Sequence, residues 1–278
     1  MNNLRKYGLK PFHIAVIHGG PGAPGEMAPV ARELSSSMGV LEPLQTASSI
    51  EGQVEELKYV LENCGDPPLI LVGFSWGAWL SYIVTVYHPL LVKKLILISS
   101  GPFEDKYAAK IMETRLGRLG VDEKKEALSL LSVLNSNDLN GNGFARFGEL
   151  MSKADSYDSL HRDPELLEGS PDVYRAVWGQ AVKLRSSGKL LQLGGRIQCP
   201  VVAIHGDYDP HPGEGVKDPL SRVIKDFRFV LLEQCGHYPW LERNAKNNFY
   251  TTLRREIGLP DDGVFNNRVK PPTGDSTS

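Results

Sequence analysis

A serine held between two glycines, Gly73-Phe74-Ser75-Trp76-Gly77, lies directly between the apolar run Leu69-Ile70-Leu71-Val72 and the segment Ala78-Trp79-Leu80-Ser81-Tyr82-Ile83-Val84. This order places Ser75 on a strand-to-helix hinge, where glycines permit a strained backbone angle and close packing of strand against helix. A hydroxyl so placed projects above a sheet, and the first amides of the helix behind it point into the same space. The matching chemistry is nucleophilic attack on a carbonyl, with those amides receiving the developing oxyanion.

Such a hydroxyl needs a base to remove its proton and an acid to hold that base, in the chain order Ser, acid, His for a serine on this kind of hinge. His205-Gly206-Asp207-Tyr208-Asp209-Pro210 follows the apolar run 201–204, and Gln234-Cys235-Gly236-His237-Tyr238-Pro239 follows the run 227–232. Both segments fall at the carboxyl ends of expected parallel strands, the edge on which open α/β sheets place their sites. Asp209 is the expected acid in preference to Asp207, because the turn needs a residue or two to leave the strand before reaching back toward His237. A second glycine-rich turn, His18-Gly19-Gly20-Pro21-Gly22, follows the first apolar run. The amides of Gly20 and Trp76 are the expected oxyanion donors. Phe74, Trp178, Tyr208 and Tyr238 are candidate walls of a substrate pocket.

A rival chemistry is metal binding. His205, Asp207, Asp209 and His211 alternate along the chain, which in an extended segment would put four ligand types on one face. Gly206 and Pro210 break that path and Pro212-Gly213 ends it, so neither metal nor other cofactor is expected.

The elements that must position these residues follow from patterning. Strand-length apolar runs at 13–17, 40–44, 69–72, 94–98, 201–204 and 227–232 alternate with helical patterns at 29–36, 49–64, 76–87, 219–225 and 242–257. That alternation predicts an α/β fold with a mostly parallel sheet covered on both faces. Ser48 or Ser49 caps the second helix. Between 102 and 193 only amphipathic helical patterns recur, at 106–119, 123–134, 144–154 and 171–185, which predicts a helical lid inserted into a core of 1–101 and 194–259. The polar stretch 260–278 is expected to be poorly ordered.

Bulk properties narrow the partners. Lys plus Arg total 31 against 33 Asp plus Glu, with no run of like charge, so nucleic acid and anionic membrane surfaces are not expected partners and a small, near-neutral substrate is. No stretch approaches the ~18 apolar residues of a membrane span, and the first residues lack a signal-peptide pattern, so a cytoplasmic protein is expected. Three cysteines without paired spacing, Cys64, Cys199 and Cys235, read as reduced thiols.

With an HGGPG loop, a G-x-S-W-G elbow, the passage His88 to Leu95, and the GDYD and GHYPWLE segments, the chain resembles the prolyl iminopeptidase branch of the α/β-hydrolases over nearly its whole length. The resemblance implies triad roles for Ser75, Asp209 and His237 and oxyanion roles for Gly20 and Trp76. Only 17 residues precede His18, too few for the usual opening strand pair plus the strand at 13–17, so a sheet of about six strands is expected. Some aminopeptidases of that branch hold the substrate amine with glutamates beside the acid and on the lid. Here Pro210 follows Asp209, and Glu165 and Glu168 are the lid candidates. The expectation is a serine hydrolase acting on a small ester or amide. Two alternatives stand beside it: a carbon–carbon bond hydrolase with the same triad, and a ligand-binding protein on a hydrolase scaffold.

Overall fold

A computed structural model describes residues 3–135, 141–160 and 169–259. Within them a seven-stranded sheet runs in the order β1-β3-β2-β4-β5-β6-β7, with β1 Leu4–Tyr7, β2 Phe12–Ile17, β3 Gly39–Pro43, β4 Leu69–Phe74, β5 Val92–Ile98, β6 Val201–Gly206 and β7 Phe227–Leu232. All neighbours pair in parallel except β1, which pairs antiparallel with β3 in the register Leu4↔Pro43 to Tyr7↔Val40. The expected six strands are therefore one too few. Gly8, at φ 72, turns the chain back within four residues, which leaves room for one opening antiparallel strand where a pair was counted as too long.

Strand patterning explains the layers. Along β2, β4, β5 and β6 successive side chains enter opposite cores, since residues i and i+2 share a face. Ala15, Ile17, Leu71, Leu95, Leu97, Val201 and Ala203 join one apolar cluster with helices α2 Ile50–Cys64 and α3 Trp76–Tyr87. Ile14, Val16, Ile70, Val72, Ile96, Ile98, Val202 and Ile204 join the other, with α1 Ala28–Ser35 and α11 Lys246–Ile257. Burial on both faces is why these strands read as continuous apolar runs. Ser49 is the cap of α2, its Oγ accepting from Gly52 N at 3.0 Å.

Between β5 and β6 the chain leaves the sheet for α4 Asp105–Ala108, α5 Ile111–Gly117, α6 Val121–Asn135, α7 Gly141–Asp155, α8 Pro171–Ser186 and α9 Lys189–Gln192. The helix expected at 106–119 is thus two short helices. Leu119, Ala127, Leu134, Phe147, Leu150, Met151 and Ala154 form an apolar cluster of the insertion's own. The stretch 260–278, Glu165 and Glu168 lie outside the described residues.

Helix α10, Glu214–Val223, begins well before the expected start at Pro219 and contains that proline. Lacking an N–H, Pro219 cannot bond the carbonyl of Gly215. That carbonyl accepts instead from Phe103 N at 2.9 Å, so the interior proline is used to hold the start of the insertion. Helix α11 starts at Lys246 rather than at Glu242, whose carboxylate has other partners at the site.

Candidate active site

Ser75 joins β4 to α3 with φ 51 and ψ −113, a backbone angle that L side chains rarely adopt. Two glycines make it possible by close approach. A Cβ on Gly73 would lie 2.3 Å from Gly77 O, and one on Gly77 would lie 2.4 Å from the carbonyls of both Ile17 and His18. Ser75 N donates to Ile98 O at 3.0 Å, which ties the turn to β5. From 69 to 86 every residue is buried except Ser75, so a strand and helix of core composition present one hydroxyl to a space outside the core.

The neighbouring loop carries Gly20 at φ 27, two residues after the buried His18, whose Nδ1 donates to Gly19 O at 2.7 Å and whose Nε2 accepts from Gln45 N at 3.2 Å. Burial lowers the pKa of His18 to about 4, which keeps it neutral in this role. Trp76 is the first residue of α3, so its backbone N–H has no acceptor within the helix. Its indole is not available to a ligand, because Nε1 donates to Gln53 Oε1 at 2.8 Å between α2 and α3.

At the ends of β6 and β7, Asp209 and His237 meet. His237 Nδ1 lies 2.7 Å from Asp209 Oδ2, and the Asp209 side chain is wholly buried. Asp207, the other candidate acid, is exposed and accepts from Cys235 N at 3.0 Å instead. Burial alone would raise the Asp209 pKa, but His237, His211 and His205 around it carry it well below the ordinary carboxylate value. Burial likewise lowers the pKa of His237, and the charge and hydrogen bond of Asp209 outweigh it, so the net direction is upward. An ionised carboxylate can only accept, so Nδ1 of His237 carries the proton and Nε2 is left as its basic nitrogen.

His211 is a residue that motif reasoning did not assign to this centre. Its N and its Nδ1 both approach Asp209 Oδ1 at 2.9 Å. The only sequence signal was its place in the alternating His/Asp series. Asp209, His211 and His237 could each offer an atom to a metal within 4.8 Å of one another; both Nδ1 atoms carry protons given to Asp209, which leaves the Nε2 lone pair as the one each ring can offer. Asp207 points elsewhere, so the four-residue face does not form.

The insertion reaches the same centre. Asp155, at the end of α7, accepts from His237 N through its carbonyl at 2.8 Å and takes both Arg115 Nε and Nη2 on its carboxylate at 2.6 Å. Glu242, fully buried, accepts from Gly236 N at 3.0 Å, Tyr157 N at 2.8 Å and Asp158 N at 2.7 Å. Ser170, the cap of α8, donates its N–H to Gly22 O at 2.7 Å. Neither Arg115 nor Asp155 has a local pattern that announces this pairing.

The family model described as the alpha/beta hydrolase family matches residues 16–246, which span the glycine-rich turn after His18, the Ser75 elbow, Asp209 and His237. The chain belongs to that family. Among curated relatives of this α/β-hydrolase, human monoacylglycerol lipase ABHD6 is 25% identical over 207 residues, covering 71% of this chain and 58% of the lipase. The chain therefore spans under two thirds of that relative's length. A proline iminopeptidase of Lactobacillus delbrueckii subsp. lactis is 24% identical over 272 residues, covering 84% of this chain and 86% of that protein. The crystal structure of VinJ superposes with a TM-score of 0.66 at 16% identity, covering 92% of this chain and 94% of VinJ.

The four aromatic residues expected at the pocket of this α/β-hydrolase have specific neighbours. Phe74 is buried beneath His237 and Tyr238, at ring-centroid distances of 4.9 and 5.3 Å. Tyr238, half-buried, stands edge-on to His237 at 5.2 Å. Tyr208 packs under the Arg118 guanidinium at 3.7 Å and against Tyr157, two contacts with the insertion. Trp178 on α8 stacks on Trp79 of α3 at 6.0 Å and on Tyr174 at 6.2 Å. No helix among the described residues is long and apolar enough to cross a membrane.

Proposed function

We propose that this chain is a serine hydrolase that cleaves a small ester through Ser75, His237 and Asp209. His237 Nε2 takes the Ser75 proton as Oγ attacks the carbonyl, gives it to the leaving alcohol, and then activates water to release the acid. The amides of Gly20 and Trp76 receive the oxyanion. Residues 102–193 act as a lid that excludes water from the acyl-enzyme.

The observation that carries this reading is one sheet edge holding both a strained serine, unburied within a buried run, and a buried Asp209 bonded to His237 at 2.7 Å. An ester is favoured over an aminoacyl amide on two grounds. Pro210 follows Asp209 where an amine-binding carboxylate would stand, and both oxygens of Asp155 are already taken by Arg115. The relative named a monoacylglycerol lipase makes short monoacylglycerols the first esters to assay, with aminoacyl amides as the comparison.

A fluorophosphonate probe tests the mechanism without a known substrate. Labelling at Ser75 is expected in the wild-type protein and absent in Ser75→Ala, together with a loss of ester turnover on the order of 10⁴ to 10⁶. An unlabelled wild-type protein, or turnover that survives in Ser75→Ala, would overturn the proposal.

A further inference from the structure

Asp209 has two carboxylate oxygens, and the hydrolase reading uses one of them. Oδ2 accepts from His237. Oδ1 is held from the other side by a single residue, His211, through its backbone N–H and its ring Nδ1, each at 2.9 Å. Two donors from one residue onto one oxygen fix both the position and the rotation of the carboxylate, and hence the direction in which Oδ2 faces. His211 is itself anchored. Its carbonyl accepts from His205 Nε2 at 2.7 Å, and its ring lies 4.6 Å from that of His237 at an interplanar angle of 32°. His205 Nε2 also stands 3.5 Å from Asp209 Oδ2. With its proton on Nε2, His205 leaves Nδ1 as a lone-pair nitrogen, and that atom is buried without a partner among the described residues.

We propose that His211 is a positioning residue of the catalytic centre, which clamps Asp209 Oδ1 so that Oδ2 orients His237, with His205 bracing the clamp from β6. The inference rests on the Ser75–His237–Asp209 reading and extends it to a side chain that touches no reacting atom. Position 211 needs a side-chain N–H at the place of Nδ1 rather than any polar group, because the backbone N–H and that donor of the same residue must converge on one oxygen. The clamp also requires a neutral ring. Burial pushes the His211 pKa down to about 4, against the opposing pull of Asp209, so at neutral pH the ring is an uncharged donor that does not compete with His237 for the carboxylate's charge.

The charged and titratable groups around this cluster come from β6 and the turn after it, from the turn after β7, and from α5 and α7. His211 faces Asp209, His237 and Arg115; Asp209 faces His237, His211 and His205; and His237 faces Asp209, Asp155 and Arg115. Removing the Nδ1 donor leaves the charge of Asp209 shared among fewer donors. His237 then holds its proton more tightly, and the acid limb of activity moves to higher pH.

The experiment compares His211→Leu, which removes the donor, His211→Asn, whose amide nitrogen falls where Nδ1 was, and His211→Gln, a polar variant of similar bulk without a donor there. Each is reacted with a fluorophosphonate from pH 5 to pH 9, and the labelled fraction counts assembled sites while the second-order rate constant reports their reactivity. The Leu and Gln variants are expected to react more slowly by about 10²-fold per assembled site, as for a misaligned catalytic group. Their acid limbs are expected to rise by about half a pH unit. The Asn variant is expected to recover most of both. Wild-type rate constants in Leu and Gln overturn the clamp, and so does an equal loss in all three variants with an unmoved acid limb, which is the mark of packing alone. Nitrogen-15 shifts of His237 separate this proposal from the one beneath it. An unlabelled wild-type Ser75 defeats the hydrolase reading, whereas the clamp itself fails if the pH at which His237 takes up its second proton is unchanged in Leu and Gln, and is supported if that pH rises in those two and not in Asn.

Discussion

Two buried carboxylates lie on either side of His237, and their partners differ in kind. Asp209, at the strand edge, is surrounded by the titratable rings of His237, His211 and His205. Asp155, at the end of α7, is bound side-on by the guanidinium of Arg115, which burial alone would make less basic but which Asp155 drives above its ordinary range. A partner that can give up its proton makes a pair whose charge state can change during a reaction. A partner that is always charged makes a fastening. The first arrangement suits proton transfer and the second suits bracing α5 against α7 within the insertion, beside the point where Asp155 O bonds His237 N.

The contrast breaks most sharply at Asp209. Asp209→Asn keeps the shape but withdraws the charge that stabilises the His237 cation, and turnover is expected to fall on the order of 10⁴, with the folded protein retained. A loss below tenfold would show that Asp209 is a structural acid like Asp155. Arg115→Met is the converse change. It strands a buried carboxylate, so a stability loss of about 3–5 kcal/mol is expected in urea unfolding, far more than a surface pair contributes. A shift under about 1 kcal/mol would mean that water already reaches Asp155.

Acidification separates the two regions next. His18 and His211 are pushed by burial from 6.5 to about 4, so the unfolded chain binds a proton at each near pH 6.5 that the folded chain refuses until about pH 4. Stability is therefore lost as pH falls through that window, at about 1.4 kcal/mol per pH unit for each ring. His237 acts in the opposite sense, since its folded-state pKa is raised: its contribution is complete below the ordinary value and is lost as pH rises through the raised one. Urea midpoints between pH 8 and pH 4 should pass through a maximum near pH 6.5, and a flat line from there to pH 4.5 would refute the neutral-ring assignments. The smallest effect is expected at Trp178→Leu, where loss of the stack on Trp79 should cost about 1 kcal/mol and leave kcat unchanged. A large rise in KM there would instead make Trp178 a substrate wall.

Legibility in the sequence followed locality. The strands were readable because β2, β4 and β6 are buried on both faces, and the elbow was readable because Gly73 and Gly77 touch backbone a few residues or one strand away. Strand β1 was missed because the count of residues before His18 allowed for a pair of strands, whereas one strand turned at Gly8 fits. The early start of α10 was hidden by Pro219, whose penalty is relieved by Phe103, a residue distant in sequence. For Tyr208, aromatic character says nothing about which neighbours, here Arg118 and Tyr157, pack against it.

By itself the sequence determined the α/β alternation, the hinge at Ser75 and the order in which Asp209 and His237 follow it, since each depends on periodicity or on residue types within a single turn. Only the tertiary structure decided that Asp209 rather than Asp207 meets His237, that His211 shares the same carboxylate, and that Arg115 and Asp155 pair within the insertion beside them. These are pairings between side chains whose separation is set by packed strands and helices, and no local pattern in the chain records a distance closed by the fold.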